Sequence, residues 1–409
     1  MSELEYALNT FYLLVSGAFV MWMAAGFTML EAGLVRAKNV SEIVTKNLGL
    51  YSIACVMYLV CGFFLMYPGD SVYNAYLPML GSTWGINLDG LTFNADLGYS
   101  DAADFFFQVV FVATAMSIIS GAVAERMKLM PFFIFAIFLT GFIYPVQGFW
   151  KWGGGWLDAI GYSDFAGSGV VHLCGASAAL AAVLILGPRT GKYGSDGSVR
   201  VMRGSNIPIA ALGALILWLG WFGFNGGSQL AIHDAGNANA VAQVFLNTNA
   251  AAAGGVLGAL GIAKLLTGKA DVTMAINGAI AGLVAITAAP DTPSGGLATI
   301  IGLVGGVIVY MSIVFLDTVL KVDDPVGAIS AHGTVGIWGI MAVPISYGDA
   351  SFGVQAIGAV SIFLWTFITS AGVLLILRAT MGLRPSEEEE TSGLDAAEIG
   401  VEAYPEFKD

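Results

Sequence analysis

Long apolar stretches, separated by short polar segments, make up most of this chain. Each is about as long as the 20 residues that a helix needs to cross a hydrocarbon core of about 30 Å. They cover residues 10–34, 43–66, 104–124, 130–148, 166–187, 206–226, 240–264, 273–289, 298–317, 326–346 and 353–378. The pattern predicts an all-α integral membrane protein with eleven transmembrane helices.

Composition agrees with that prediction. Of 409 residues, 57% are hydrophobic and 11% are charged, and the mean hydropathy is +0.78, values typical of a protein that is surrounded by lipid. The three cysteines lie in apolar stretches without a CxxC partner, so we expect neither a disulfide framework nor a zinc site. Acidic residues open the chain where a signal peptide would be basic, and we therefore expect no cleaved signal.

Basic residues indicate the orientation in the membrane. If the eleven stretches span, all of the 16 Lys and Arg residues except Lys151 fall on one side. Because basic residues in short loops stay on the cytoplasmic side, the N-terminus is predicted outside and the C-terminus inside the cell (inner or plasma) membrane. We expect a transmembrane domain over 1–383 and a cytoplasmic tail over 384–409.

Acidic residues fill the predicted outer loops, which hold twelve Asp and Glu against one lysine. An acidic mouth attracts cations, but the same acids are also what remains outside once basic residues stay inside. Nine further acids follow Gly382, including the run Glu387–Glu390. We interpret this tail as a solvated segment.

An Asp–Gly–His arrangement occurs twice. Asp164 and Asp324 are each followed by a glycine three residues on and by a histidine eight residues on, His172 and His332. Each Asp is predicted to be the N-cap of a helix, with Pro325 at the first helical position of the second. Eight residues at about 1.5 Å each carry the histidine about 12 Å from its cap, near the middle of the membrane.

The predicted topology makes these two helices run in opposite directions, so their histidines approach each other from opposite faces. This predicts an inverted repeat of helices 1–5 and 6–10 with one central site. A histidine at that depth either bridges two helices by a hydrogen bond or belongs to a substrate or proton path. His233 lies in a polar outer loop, and we expect no functional role for it.

Five motifs carry a family resemblance. In chain order they are GLVRAKNV (33–40), GAVAER (121–126), DFAGSGVVHLCGASAAL (164–180), WFGFNGGS (221–228) and VDDPVGAISAHG (322–333). Together they resemble the ammonium transporter family, Amt/Mep/Rh, and its Amt branch in particular. The resemblance implies an Amt-type fold, a homotrimer with one pore per subunit, and ammonium, ammonia and methylammonium as substrates.

The resemblance also implies roles for individual residues. It makes His172 and His332 the two histidines that line a narrow hydrophobic pore, and it makes Asp164 the acid near the outer end of the fifth helix. The implied recruitment site for ammonium is Phe107, Trp152 and Ser228. The implied gate is the stacked pair Phe111 and Phe224, with Phe111 also beside the recruitment site and with Trp221 and Asp324 in supporting positions.

Helical spacing supports the aromatic residues independently. Phe107 and Phe111 are four residues apart on one predicted helix, and Trp221, Phe224 and Ser228 follow at i, i+3 and i+7 on another, so each set shares a face. Such stripes arise from ordinary packing as well as from ligand binding. Aromatic faces in an acidic vestibule are, however, suited to a small cation.

We therefore hypothesise that ammonium is bound at the outer aromatic site, loses its proton at the gate and crosses as ammonia, while the histidines relay the proton. Two alternatives are an electroneutral ammonia channel and a receptor that reports external ammonium through the tail. We expect no output domain after the last span, which disfavours the receptor, although the acidic tail could recruit a separate partner. The sequence shows neither a nucleophile–base pair nor a metal cluster that would indicate an enzyme. We expect no cofactor, no metal and no nucleic-acid partner.

The tail resembles the family's regulatory end, which implies a PII-type nitrogen-sensing protein as a partner at the cytoplasmic face. The chain departs from that pattern at Ile399, where a histidine before glycine is common in the family. Membrane lipid is the other expected partner.

Overall fold

Helices dominate the computed structural model, which describes residues 1–85 and 98–407. The acids Asp89 and Asp96 and the tail residue Lys408 lie outside the described residues. The α-helices are α1 (Glu3–Leu34), α2 (Val40–Met57), α3 (Phe63–Met66), α4 (Asp101–Ala122), α5 (Leu129–Phe138), α6 (Tyr144–Lys151), α7 (Trp156–Ala159), α8 (Cys174–Leu186), α9 (Ile207–Gly227), α10 (Ala235–Thr267), α11 (Val272–Ile286), α12 (Gly295–Thr318), α13 (Val335–Ser346), α14 (Phe352–Thr380) and α15 (Glu387–Ser392).

Short elements complete the described chain. Two strands, β1 (Val72–Asn74) and β2 (Leu77–Pro78), pair as an antiparallel hairpin. The remaining helical segments are the π-helical turns Tyr58–Gly62, Leu139–Ile143, Ser168–Leu173, Ile329–Thr334 and Asp395–Ile399 and the 3₁₀ turns Ala37–Asn39 and Pro405–Phe407.

A helical segment occupies each predicted apolar stretch. Ten helical segments in the described part of the chain are long and apolar enough to cross a membrane, and α11 is an eleventh, shorter apolar helix of 15 residues. The prediction of a multi-pass, all-α membrane protein is therefore confirmed. The first helix begins earlier than residue 10, because Ser2 and Glu5 form a capping box that extends α1 to Glu3.

Two of the predicted helices are interrupted. The stretches 43–66 and 130–148 contain the π-helical turns Tyr58–Gly62 and Leu139–Ile143. These two turns pack against each other, where the Sγ of Cys61 donates a hydrogen bond to the carbonyl of Gly141 at 3.3 Å. A π-helical turn inserts one extra residue into a helix, which hydropathy along the chain does not reveal.

Close backbone packing holds α10 against α11 and α12. A Cβ added to Gly254 would lie 2.2 Å from the carbonyl oxygen of Thr299, and one added to Gly258 would lie 2.2 Å from that of Leu303. Only glycine allows the two backbones to approach this closely, as in other helix pairs of membrane proteins. The run of small residues over 251–261 therefore has a packing role.

A buried ion network closes one end of the bundle. Arg189 pairs with Asp323 at 2.8 Å and with Glu125 at 3.1 Å, and Arg36 also pairs with Glu125. Burial opposes ionisation of Asp323, but the hydrogen bonds and charge of Arg189 hold its pKa below the ordinary value. We call this the basic end, where α1 ends, and the opposite end, where α1 begins, the acidic end.

The tail is docked on the basic end, so the prediction of a merely solvated segment was wrong. Glu387–Glu390 forms the first turn of α15, where acidic side chains interact favourably with the helix dipole. Glu390 is buried and pairs with Arg384 at 2.7 Å. Asp395 is also buried and accepts the backbone N–H of Glu42 at 2.9 Å. Glu390 and Asp395 have fixed partners, which explains why these two acids are buried.

Candidate functional site

Two histidines meet in the interior of the bundle. The Nδ1 atoms of His172 and His332 lie 3.2 Å apart, and the two rings are 5.1 Å apart and nearly parallel. Both side chains are buried, with exposed fractions of 0% and 4%. Each sits in a six-residue π-helical turn, Ser168–Leu173 or Ile329–Thr334. At this distance one ring donates a hydrogen bond to the other, an arrangement through which a proton can be exchanged.

Asp164 binds the start of the first histidine segment, although it is not the N-cap residue that the sequence predicts. The helical segment begins at Ser168, after Gly167 in a left-handed conformation with φ of 110°. The Oδ2 atom of Asp164 accepts the N–H groups of Gly169 and Val170 at 2.9 and 2.8 Å. The carboxylate reaches past the glycine turn to the unpaired donors of the first helical turn.

Asp324 repeats this geometry in the second half. Its Oδ2 atom accepts the N–H of Ile329 at 2.7 Å, and its Oδ1 atom accepts that of Gly327 at 3.1 Å. Gly327 has φ of 79°, and the helical segment begins only at Ile329. Pro325 is therefore not the first helical residue. The glycine turn delays the first helical residue by three positions in the first half and by four in the second.

Burial changes the acid strength of Asp164. Its side chain is 1% exposed, and burial raises its pKa to about 6, although the backbone N–H groups that it accepts oppose the rise. The same residue accepts a long contact from the hydroxyl of Tyr162 at 3.5 Å. Asp164 is therefore a weaker acid than an ordinary aspartate.

Aromatic rings lead from the histidines towards the acidic end. Phe111 stacks on Phe224 at 4.1 Å between ring centroids. Phe224 lies 5.3 Å from His172, which also stacks on Trp221 at 5.0 Å. The Nε1 of Trp221 donates to the hydroxyl of Thr287 at 2.8 Å, which fixes its ring. The stacked phenylalanine pair and the histidine pair therefore form one continuous file.

A cavity of about 170 Å³ lies at the acidic end of this file. It brings together the three predicted recruitment residues, Phe107, Trp152 and Ser228, and it is also lined by Phe111. Trp152 is held by a hydrogen bond from its Nε1 to the carbonyl of Asp164 at 2.9 Å. Ser228 follows the last residue of α9 and donates to the carbonyl of Phe224 at 2.8 Å.

The same cavity has polar lining residues that the sequence analysis missed. They are Asp104, Gln108, Tyr67 and Tyr99. The helical spacing on α4 is i, i+3, i+4 and i+7 for Asp104, Phe107, Gln108 and Phe111. Helical periodicity was therefore a usable signal for Asp104 and Gln108. Tyr67 and Tyr99 lie outside helical segments, and no periodic pattern indicates where they fold.

A second, smaller cavity lies on the other side of the histidine pair. It is lined by His332 together with Phe27, Leu30, Glu31 and Asn277, among others. The ring of Phe27 lies 6.2 Å from that of His332. The histidines therefore separate an aromatic cavity at the acidic end from a mostly apolar cavity towards the basic end.

The third histidine is not brought to this site. His233 lies within 3.2 Å of the side chain of Asn9 and 3.3 Å from the carboxylate of Asp234. The contact with Asn9 ties the loop before α10 to α1.

Sequence comparison decides the family. Residues 11–404 match the model of the Ammonium Transporter Family. The chain belongs to the ammonium transporter family. It is 40% identical to the ammonium transporter Amt2 of Archaeoglobus fulgidus, over 98% of this chain and 89% of that protein. It is also 40% identical to a putative ammonium transporter of Synechocystis sp., over 98% of this chain and 90% of that protein.

Solved structures agree with this assignment. A protein described as "Sensor Amt Protein" superposes with a TM-score of 0.88 at 34% identity and covers 97% of this chain and 100% of its own. Mep2 of Candida albicans superposes with a TM-score of 0.82 at 25% identity, over 94% and 87% of the two chains. The Amt-type fold is thus confirmed, and the chain is a membrane transporter rather than an enzyme.

Proposed function

We propose that this ammonium transporter family member binds NH4+ in the aromatic cavity, removes its proton and conducts NH3 past His172 and His332, which carry the proton separately. One observation carries the proposal: a buried, hydrogen-bonded histidine pair separates two cavities at opposite ends of a file of aromatic rings. The pair offers a route for a proton through surroundings in which a hydrated cation would have to give up its water at high cost.

The aromatic cavity suits recruitment. Rings of Phe107 and Trp152 present π faces, and Asp104 adds a carboxylate to the same lining. A desolvated cation over such a ring gains about 2 kcal/mol. The hydroxyl oxygen of Ser228 remains able to accept a hydrogen bond from ammonium, because its own proton is donated to Phe224.

Deprotonation follows from the cost of burying charge. The next step inward is the stacked pair Phe111 and Phe224, whose rings present no polar atom to a passing cation. Moving an ion into such surroundings is far more costly than moving a neutral molecule. Ammonium avoids this cost by leaving its proton behind. The role proposed for Asp164, whose main-chain carbonyl accepts a hydrogen bond from Trp152, is to supply negative potential near this step.

An electroneutral NH3 channel is the alternative within the same class, and charge movement separates the two. A sensor role is a second candidate function that one observation favours: a solved relative at 34% identity is itself described as a sensor. The tail offers a physical link, because Asp395 on the tail holds the start of α2 through the N–H of Glu42. A sensor would report binding without rapid transport.

The remaining features of the proposal concern the surroundings of the protein. We propose that the acidic end faces outside and the basic end faces the cytoplasm, in the cell membrane, and that three copies assemble with one pore each. A PII-type protein is the proposed partner at the basic end, where the docked tail would be part of its contact surface. Methylammonium, which has a removable proton, is the proposed second substrate.

Currents on a solid-supported membrane test the proposal. Proteoliposomes are exposed to jumps of ammonium, methylammonium or K+ at equal concentration. We expect currents with the first two only, because K+ has no proton to lose and meets the full desolvation cost. Currents of K+ comparable to those of ammonium would contradict deprotonation. Ammonia entry without any current would favour the electroneutral channel, and binding with neither would favour the sensor.

A further inference from the structure

A buried carboxylate lies on α1 at the inner cavity. Glu31 is 1% exposed. Its Oε2 atom accepts two hydrogen bonds, from the Nδ2 of Asn47 at 3.0 Å and from the hydroxyl of Ser120 at 2.6 Å. Its Oε1 atom is buried and has no hydrogen-bond partner among the described residues. One half of this carboxylate is therefore fixed, and the other half is available.

The available half belongs to the same cavity as the histidine pair. Glu31 and His332 both line this cavity, whose volume is about 20 Å³. A cavity needs about 10 to 15 Å³ to hold one water-sized molecule, and ammonia is of that size. Phe27, one helical turn before Glu31, approaches the ring of His332 at 6.2 Å. One small molecule in this cavity would be close to both groups.

A structural role does not account for the charge of Glu31. The buried Lys46 forms its ion pair with Glu42, at 3.3 Å, and lies over the ring of Phe132 at 5.4 Å. Glu31 itself has only neutral hydrogen-bond donors. A glutamine could accept the same two bonds at one oxygen without placing an ionisable group in the protein interior, where it is costly. Ionisable groups at such positions in membrane proteins mark proton or ion paths.

We propose that Glu31 is the group that returns the proton to ammonia at the inner end of the pore. The inference rests on the proposed function. The carboxylate first accepts the proton that the histidine pair delivers, so that an O–H bond forms on Glu31 and an N–H bond of imidazolium breaks. Ammonia in the cavity then takes this proton. Ammonium forms, the carboxylate becomes ionised again, and both atoms and charge balance.

The experiment compares charge movement with ammonia entry in the full-length protein. Uptake of isotope-labelled ammonium into proteoliposomes reports ammonia entry whether or not the proton enters with it, and currents are recorded on the same preparation after ammonium jumps. The test variant is Glu31→Gln, which keeps both fixed hydrogen bonds. Glu31→Asp is the conservative variant. Ser120→Ala removes one bond to the fixed oxygen, and Glu3→Gln makes the same substitution at the exposed start of α1.

We expect Glu31→Gln to lower the current by about tenfold or more, because a positioned acid or base contributes about 10² to 10⁴ to proton transfer. Ammonia entry should fall less, so that the charge moved per ammonia decreases. Glu31→Asp should recover part of the current, and both control variants should keep the wild-type ratio. An unchanged ratio in Glu31→Gln would overturn the proposal, as would a parallel loss of both signals that Ser120→Ala reproduces. A wild-type protein without current would instead contradict the proposed function.

Discussion

Replacing Trp152 with leucine tests the recruitment site directly. The Trp152 ring is half-buried in the wall of the aromatic cavity and meets the ring of Phe111 edge-on at 6.0 Å. A cation–π contact is worth about 0.5 to 1 kcal/mol at an exposed site and about 2 kcal/mol when desolvated. A half-buried ring should give about 1 to 2 kcal/mol. Since about 1.4 kcal/mol corresponds to tenfold in affinity, Trp152→Leu should raise the half-saturating ammonium concentration about 5- to 30-fold.

The assay is the concentration dependence of ammonium currents on solid-supported membranes. Trp152→Phe keeps a π face but loses the hydrogen bond to the carbonyl of Asp164, so it should raise half-saturation less than Trp152→Leu. Trp150→Phe is the matched control, because Trp150 lies two residues earlier, packs against Trp156 and Trp365 and bonds to the carbonyl of Tyr76 instead. It should leave half-saturation unchanged.

The result that refutes this reasoning is specific. If Trp152→Leu keeps the wild-type half-saturation while its maximal current falls, the ring does not bind ammonium before the slow step and acts only in packing. If Trp150→Phe shifts half-saturation as much as Trp152→Leu, the effect comes from a general disturbance of α6. Either outcome moves recruitment away from this cavity.

Further predictions concern the histidines and Asp164. His172→Ala and His332→Ala should each abolish ammonium current or uncouple it from ammonia entry without changing the gel-filtration profile, whereas His233→Ala, which alters only the contacts with Asn9 and Asp234, should retain the wild-type current. With a pKa of about 6, Asp164 is about 90% ionised at pH 7 and about 10% at pH 5. Because the proposed role of Asp164 depends on its negative charge, the current at equal pH on both sides should fall as pH drops through 6. The Asp164→Asn variant should have a low current at pH 7 and should not show this fall. A wild-type current that is flat between pH 7 and pH 5 would contradict this role of Asp164.

The sequence predicted the spans and the repeat, and its resemblance to a known family implied most of the residues of the candidate site. Hydropathy located all eleven apolar helices to within a few residues at most ends, because burying a helix in lipid demands about 20 apolar residues wherever it occurs. The repeated Asp–Gly–His spacing predicted that His172 and His332 converge, and they are 3.2 Å apart. Helical spacing placed Phe111 on one face with Phe107, and Phe224 on one face with Trp221 and Ser228. The stacked pair of Phe111 and Phe224 is compatible with both faces.

Local patterns failed where backbone geometry depends on neighbours. The glycine turns after Asp164 and Asp324 delay the start of both helices, and the π-helical turns around the histidines rotate each imidazole relative to a regular α-helix. The acidic tail was misread because some of its acids have partners far away in the chain, such as Asp395 with the N–H of Glu42 at the start of α2. Charge along the chain does not indicate which distant group will neutralise it.

Only the tertiary structure decided which side of each helix faces the candidate site. Membrane helices are apolar on nearly all sides, so hydropathy shows that α1 spans but not which way Glu31 points. Its contacts come from Asn47 on α2 and Ser120 on α4, and its cavity is shared with His332, about 300 residues away in the chain. Helix rotation is set by packing of small residues and by hydrogen bonds between helices, and those contacts exist only once the helices have assembled.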